Sequence, residues 1–587
     1  MAIDRWADRL QGQRTRMWFS LGDQEALFRA GLERAQAADV AARIWAREGA
    51  LWSRDAASVA EAENRLGWLD LPKTMVVEVS RLKALAAEIR ATGLEHVVLL
   101  GMGGSSLAPE TMTAILGGQP GSPDLVILDT TDPTQIRRVM GERPLLETLF
   151  IVASKSGGTA ESLNLYDFFR SQLEALEPDA WAQHFVAITD PGSKLAKIAE
   201  TEGFRAVYLN PANIGGRYSA LSLFGLVPAA LIGADIEMLL DRAGELCGTC
   251  DALESMPENP GVALGVLMGE LARAGAPRDK LTLISSPELT SFGPWAEQLV
   301  AESTGKEGVG ILPVIDEGAS PTAMGSDRLY VYLRLDGGDN NASDARVEGL
   351  LERNEPVVLI GLRDCYDLGT EFFRWQFATA VAGQVLSINP FDQPNVESAK
   401  VQARTALARY EKELALPSPE PAVSCDPLSF FGDGVPATDC ADFLARFFSQ
   451  AEAGGYLAIM AYVDRLQAFE CLLGDLAKTT VERLGIATTV GFGPRFLHST
   501  GQLHKGGQGG GLYVQITQDE DDDLDIPGKA YSFGILKMSQ ALGDLSALRG
   551  AERSAIRVNI GPDVSQGLDA LATRWIEALA GLDSRLA

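Results

Sequence analysis

Apolar and polar positions change rhythm three times along the 587 residues. Residues 1–74 space Leu, Ala, Trp and Arg at helical intervals among scattered single glycines, which predicts helices packing against the domain beyond them. From about 75 the rhythm becomes short β-rich runs at 96–100, 125–129, 149–154, 185–189 and 206–209, separated by helical stretches. That alternation predicts a doubly wound parallel sheet with helices on both faces, an α/β domain over 75–240. A second alternating set predicts another over 241–415, with strands at 281–284, 330–335 and 357–360 and helices at 294–304 and 372–385. Residues 416–437 are rich in Pro, Ser and Asp, with PSPEPA at 417–422, and read as a linker. Beyond it, strands at 486–490, 511–517 and 556–560 and helices at 531–548 and 568–580 predict a C-terminal α/β block, 438–587.

Composition narrows the classes of function. A formal charge of −28 repels nucleic acid and anionic lipid, and no basic stripe offsets it, so neither is an expected partner. The first residues, MAIDRWADRLQGQRTRMW, lack the apolar stretch of a secretory signal, and no later run reaches the length of a membrane helix. A cytoplasmic protein is expected, with its six sparse cysteines reduced. Cys247 and Cys250 form a C-x-x-C without a second pair or a nearby histidine, so half-buried thiols are expected there rather than a metal site. The acidic run at 519–525 fits no calcium loop and reads as a solvated surface.

Two turns carry candidate chemistry. In VVLLGMGGSSLAPE a strand runs into Gly101, Gly103, Gly104, Ser105 and Ser106 before a helix, so backbone N–H groups can approach an anion. A dinucleotide fingerprint would place a glycine at 106 and a ribose-binding acid after the next strand, for which Asp129 is the available candidate. In LFIVASKSGGTAES a strand ends in Ser154, Lys155, Ser156, Gly157, Gly158 and Thr159, then enters a helix. Hydroxyls and backbone donors at such a place suit the terminal oxygens of a phosphate monoester, although Ser and Thr there can equally serve as helix caps.

These two segments resemble the sugar isomerase (SIS) fold. NIGGRYSALSLFGLVPAALIGADI at 213–236, WAEQLVAESTGKEGVGILP at 295–313 and INPFDQPNVESAK at 388–400 are similar to signature segments of glucose-6-phosphate isomerases, in the family's order. The resemblance implies two SIS domains and reversible isomerisation of glucose 6-phosphate and fructose 6-phosphate by ring opening and proton transfer through a cis-enediol. It implies no metal and no organic cofactor. A proton shuttling between C1 and C2 needs a carboxylate base and a cation beside the enediolate oxygens. Glu302 matches the family's base, Arg217 its enediolate-stabilising arginine and Gln298 its glutamine beside the substrate hydroxyls. Gly104, Ser105, Ser154, Lys155, Ser156, Thr159 and Glu161 match its substrate-binding positions, and Lys400 its ring-opening lysine.

The ring-opening histidine departs from the pattern. An LHS-x-GQ segment is expected soon after the base, where this chain reads EGASPTAMGSDRLYV. Of the four histidines, His96 and His184 start β-rich runs and read as structural. The other two lie in PRFLHSTGQLHKGGQGGG, where LHSTGQ reproduces the motif about 200 residues later. This stretch resembles the end of fused transaldolase/glucose-6-phosphate isomerase proteins, so His498 is expected to have taken over ring opening, with His504 and Lys505 in reserve. Nothing resembles the transaldolase half, and no transaldolase activity is expected. The alternatives are a non-catalytic sugar-phosphate sensor and an isomerase that also accepts mannose 6-phosphate. Family members are usually homodimers, and a homodimer is expected here.

Overall fold

The computed structural model describes residues 5–10, 15–251, 258–315, 317–417, 419–432 and 437–586. Three sheets organise them. The first is wholly parallel, in the order Asp124–Leu128, His96–Leu100, Thr148–Ala153, Phe185–Thr189, Ala206–Leu209. Its inner strands are apolar on both faces and buried, as a sheet sandwiched between helix layers requires. The chain leaves His96–Leu100 to one side and returns on the other as Thr148–Ala153, so the crevice between their carboxyl ends is a topological switch point. Crevices of that kind are where open α/β sheets bind ligands. Both glycine- and serine-rich turns emerge there.

The second sheet runs Met17–Ser20, Val357–Leu362, Arg328–Leu335, Lys280–Ser285, Leu312–Ile315. Four strands are parallel, and Met17–Ser20 joins antiparallel at the edge. The amino-terminal segment is therefore not helical throughout. Its helix Glu25–Ala37 does pack against the second domain: a Cβ on Gly31 would stand 2.7 Å from Val266 Cγ1, so only glycine lets helix Pro260–Ala272 come so near.

The third sheet runs Val423–Cys425, Leu428–Phe431, Ser554–Asn559, Gly511–Thr517, Tyr456–Tyr462, Ala487–Phe492. The reading of 416–437 as a linker is corrected here. Val423–Cys425 and Leu428–Phe431 form a hairpin whose second strand pairs antiparallel with Ser554–Asn559. Leu428 and Phe430, alternating inward, are buried in the core, and two apolar residues at strand spacing outweigh the Pro-rich surroundings. The hairpin also sets Cys425 beside Cys440, at the start of helix Cys440–Phe448, and the two are joined by a disulfide. The expectation of reduced thiols fails at this pair. Cys247 and Cys250 are free and buried, and burial pushes the Cys250 thiol up to about 12.

The acidic run is less solvated than its composition predicts. Glu520 and Asp132 both pair with buried Lys537, Asp132 at 2.5 Å, while Asp523 accepts from the Gly534 N–H at 2.7 Å. Helix Phe533–Gly550 is thereby pinned against the carboxyl end of the first sheet. His96 and His184 are structural: His96 Nδ1 meets Asp124, and His184 Nδ1 lies 2.8 Å from the Thr148 carbonyl. Among the described residues no helix is long and apolar enough to cross a membrane.

Candidate active site

The turn after His96–Leu100 is built by close approach. Gly103 has φ +57°, and its missing side chain leaves room for Gln298 Nε2 and His498 Cβ, which a Cβ there would meet at 2.9 and 3.0 Å. At Gly104 a Cβ would lie 2.0 Å from the Gly216 carbonyl oxygen. The segment carrying Arg217 thus rests directly on this turn. Gly104→Ala should push the two backbones apart, costing about 3 kcal/mol of stability, and a urea titration of the purified variant measures it. Ser105 is buried in the turn. Ser106 Oγ donates to Asp129 Oδ2 at 2.7 Å, and Arg495 Nε stands 3.4 Å from the same oxygen. Asp129, considered above for a ribose, is engaged within the protein, and burial pushes its carboxyl up to about 6.

In the second turn, Ser154 Oγ and Thr159 Oγ1 lie 2.9 Å apart, and Thr159 immediately precedes the 17-residue helix Ala160–Leu176. Ser156 is exposed, and its Oγ accepts from the Gly158 N–H at 3.2 Å. Lys155 turns away: its Nζ pairs with Asp190 and donates to the Ala212 carbonyl at 2.9 Å. The hydroxyls and the helix N-terminus share one place, whereas the lysine amine is held beside a carboxylate.

From the first turn of that helix, Glu161 reaches His498. Its Oε1 lies 3.3 Å from His498 Nε2 and accepts from Gln540 Nε2 at 2.7 Å. Burial works to raise the Glu161 carboxyl, but the His498 hydrogen bond and charge, with the charge of Lys400, hold it below its ordinary value. It is therefore a carboxylate at neutral pH. His498 closes the short helix Arg495–His498, and its carbonyl oxygen accepts from Gln298 Nε2 at 2.7 Å.

Gln298 and Glu302 are one turn apart on helix Phe292–Thr304, so they share a face, and Gln298 Nε2 donates also to Glu302 Oε2 at 3.1 Å. With Nε2 engaged twice, Gln298 Oε1 is buried without a hydrogen-bond partner among the described residues. Glu302 Oε1 pairs with Arg217 Nη1 at 3.3 Å. Buried Arg217 uses its whole fork: Nε to Ser303 Oγ at 2.7 Å, Nη1 to Gln393 Oε1 at 3.0 Å, and Nη2 to the Pro390 and Asp392 carbonyls at 2.7 and 2.9 Å. Lys306 fixes the same strap, donating to the Asn389 and Asp392 carbonyls, and burial, then the nearby Arg217 charge, lowers its amine to about 8.

Lys400, on helix Val396–Glu413, lines a cavity of about 50 Å³ with Glu161, His498, Lys505 and Gln540. The structure thus gathers Glu161, His498, Gln298, Glu302, Arg217 and Lys400 within a single chain. His504 stands apart, packed between Tyr456, Phe496 and Tyr513, where burial and the neighbouring Lys505 charge keep it neutral. Lys505 is buried against Asp544 at 2.5 Å. Gln540 was missed in the sequence because nothing marks it out in its helix.

The family model for phosphoglucose isomerase matches residues 75–311. A probable glucose-6-phosphate isomerase of Haloarcula marismortui is 31% identical over 351 residues, 54% of this chain and 79% of the relative. A glucose-6-phosphate isomerase of a Cyanothece species is 30% identical over 398 residues, 60% of this chain and 74% of the relative. Among solved structures, a hypothetical protein of Thermus thermophilus aligns with a TM-score of 0.58 at 26% identity, over 67% of this chain and 100% of the other. A Chlamydia trachomatis glucose-6-phosphate isomerase shares the fold, with a TM-score of 0.55 at 20% identity over 69% and 92%. Two relatives above the level of chance likeness, each matched over most of its length, agree with the signature segments and their gathering at one switch point, and the chain belongs to the phosphoglucose isomerase family.

Proposed function

We propose that the protein interconverts glucose 6-phosphate and fructose 6-phosphate. The observation that carries this reading is the unbroken run of contacts from Glu161 through His498, Gln298 and Glu302 to Arg217, beside the hydroxyl-rich turn at 154–159. The phosphate sits on Ser154, Ser156, Thr159 and the N–H groups that open helix Ala160–Leu176, with the turn at Gly104 and Ser105 alongside. His498, paired with Glu161, and Lys400 serve the ring oxygen and the anomeric hydroxyl during opening.

Glu302 then carries the proton between C1 and C2. Arg217, whose N–H groups are all engaged within the protein, acts on the oxygens that gain charge in the enediolate through its fixed positive charge, in a buried setting where a fixed cation acts more strongly than in water. The unpartnered Gln298 Oε1 suits a substrate hydroxyl, which would supply the donor it lacks. Lys155, held by Asp190, supports the turn rather than gripping the phosphate directly.

All these groups come from one chain. The family resemblance favours a cytoplasmic homodimer, which light scattering of the purified protein tests for its assembly. A coupled assay converting fructose 6-phosphate to glucose 6-phosphate tests the activity. Saturable turnover is expected, and saturable binding without turnover would favour the sugar-phosphate sensor. The same assay run with mannose 6-phosphate decides the second alternative.

A further inference from the structure

The ring-opening pair is held from behind by a residue outside the stretch that the family model matches. Gln540 is buried on helix Phe533–Gly550, which reaches across from the third sheet. Its Nε2 donates to Glu161 Oε1 at 2.7 Å, and its Oε1 accepts from Thr131 Oγ1 at 2.8 Å. Each end of the amide is thus committed. Were the amide to flip, its oxygen would face a carboxylate that can only accept, so the Glu161 contact fixes which end points where, and the Thr131 hydroxyl then donates to the oxygen.

We propose that Gln540 is a positioning residue for ring opening: it holds the Glu161 carboxylate in the orientation that engages His498 Nε2. This rests on the isomerase reading given above. A carboxylate turns easily about its last torsion, and one firm N–H donor on Oε1 stops that rotation. With Nε2 engaged by Glu161, the ring of His498 has its orientation set, and Nδ1 is the nitrogen left to exchange a proton with substrate. The charged groups around Glu161 are His498, Lys400 and Lys505, the last paired with Asp544. None of them supplies the fixed neutral donor that Gln540 does. Lys537, held by Asp132 and Glu520, anchors the helix in place.

The test uses the full chain and fructose 6-phosphate over a pH series. Gln540→Leu, close in size, is expected to lower kcat about tenfold with less than a twofold change in KM. Gln540→Glu places a second carboxyl against Glu161, and the two must share a proton. Its activity is expected to hold at the acid end and fall as pH rises, with the basic-side fall beginning at lower pH than in the parent protein. A role in folding alone would lower both variants without changing the shape of the profile.

Unchanged kcat and an unchanged pH profile in both variants would overturn the proposal. A second readout does not depend on turnover: the ring N–H that His498 shares with Glu161 should give a slowly exchanging downfield proton resonance, recognised by its loss in His498→Ala. Gln540→Leu is expected to shift or abolish it. An unmoved resonance would overturn the proposal even if the parent protein proved inactive, an outcome that would count separately against the isomerase reading.

Discussion

Glu302→Gln is expected to lower kcat by about 10³-fold or more while leaving substrate binding nearly intact. Glutamine keeps the size and one hydrogen-bonding end of the side chain but cannot accept the proton from carbon, and a positioned base contributes 10² to 10⁴ in rate. The surroundings make this a clean substitution. Arg217 retains its Ser303 and Gln393 side-chain partners and the Pro390 and Asp392 carbonyls, and Gln298 retains the His498 carbonyl, so neither is left without hydrogen-bond partners. The decisive measurement pairs kcat with the exchange of the C2 proton in deuterated water. Both should fail together, and exchange persisting at the parental rate would show that another group is the base.

His498→Ala should separate the two halves of the reaction. On fructose 6-phosphate and glucose 6-phosphate, which are mostly cyclic, activity is expected to fall by about 10²-fold because the acid/base at the ring oxygen is gone. An aldotetrose 4-phosphate cannot close a ring, since its terminal oxygen is esterified. Any turnover of that open-chain substrate should therefore survive in His498→Ala and disappear in Glu302→Gln. The backbone contact from Gln298 to the residue 498 carbonyl does not depend on the imidazole, so the base helix keeps its anchor. Equal loss on cyclic and open substrates would place His498 in the proton shuttle instead, and no loss on either would remove it from the mechanism.

The legible parts of the site were those whose chemistry is local in sequence. A strand ending in 154–159 before a helix announces its own geometry, and Gln298 with Glu302 must share a helical face. His498 was legible only as a displaced motif. That it arrives beside Glu161 depends on how the third sheet docks, which no local pattern encodes. Gln540 was illegible for the same reason: it sits mid-helix, and its partners lie 379 and 409 residues away.

Lys155 illustrates the same limit from the other side: its motif suggests a phosphate contact, and the amine lies beside Asp190, after the next strand, a neighbour that the motif does not announce. The fold was read well where strands alternate with helices. One inner strand of the third sheet carries no such signal: YLAIMAY at Tyr456–Tyr462 is a continuous apolar run without a period, which cannot be told from buried helix. The hairpin at Leu428–Phe431 was hidden by its prolines.

The two hydrogens of one side-chain amide have an outsized part in this arrangement. Gln298 Nε2 donates to Glu302 on its own helix and to the carbonyl of His498, a residue delivered by a different sheet. It acts as a gauge block between the two lobes. The separation between Glu302, the proposed base, and the backbone of His498, the proposed ring-opening residue, is spanned by a planar fragment of fixed dimensions. In the proposed reaction, that span fixes the reach between the two successive steps on one sugar.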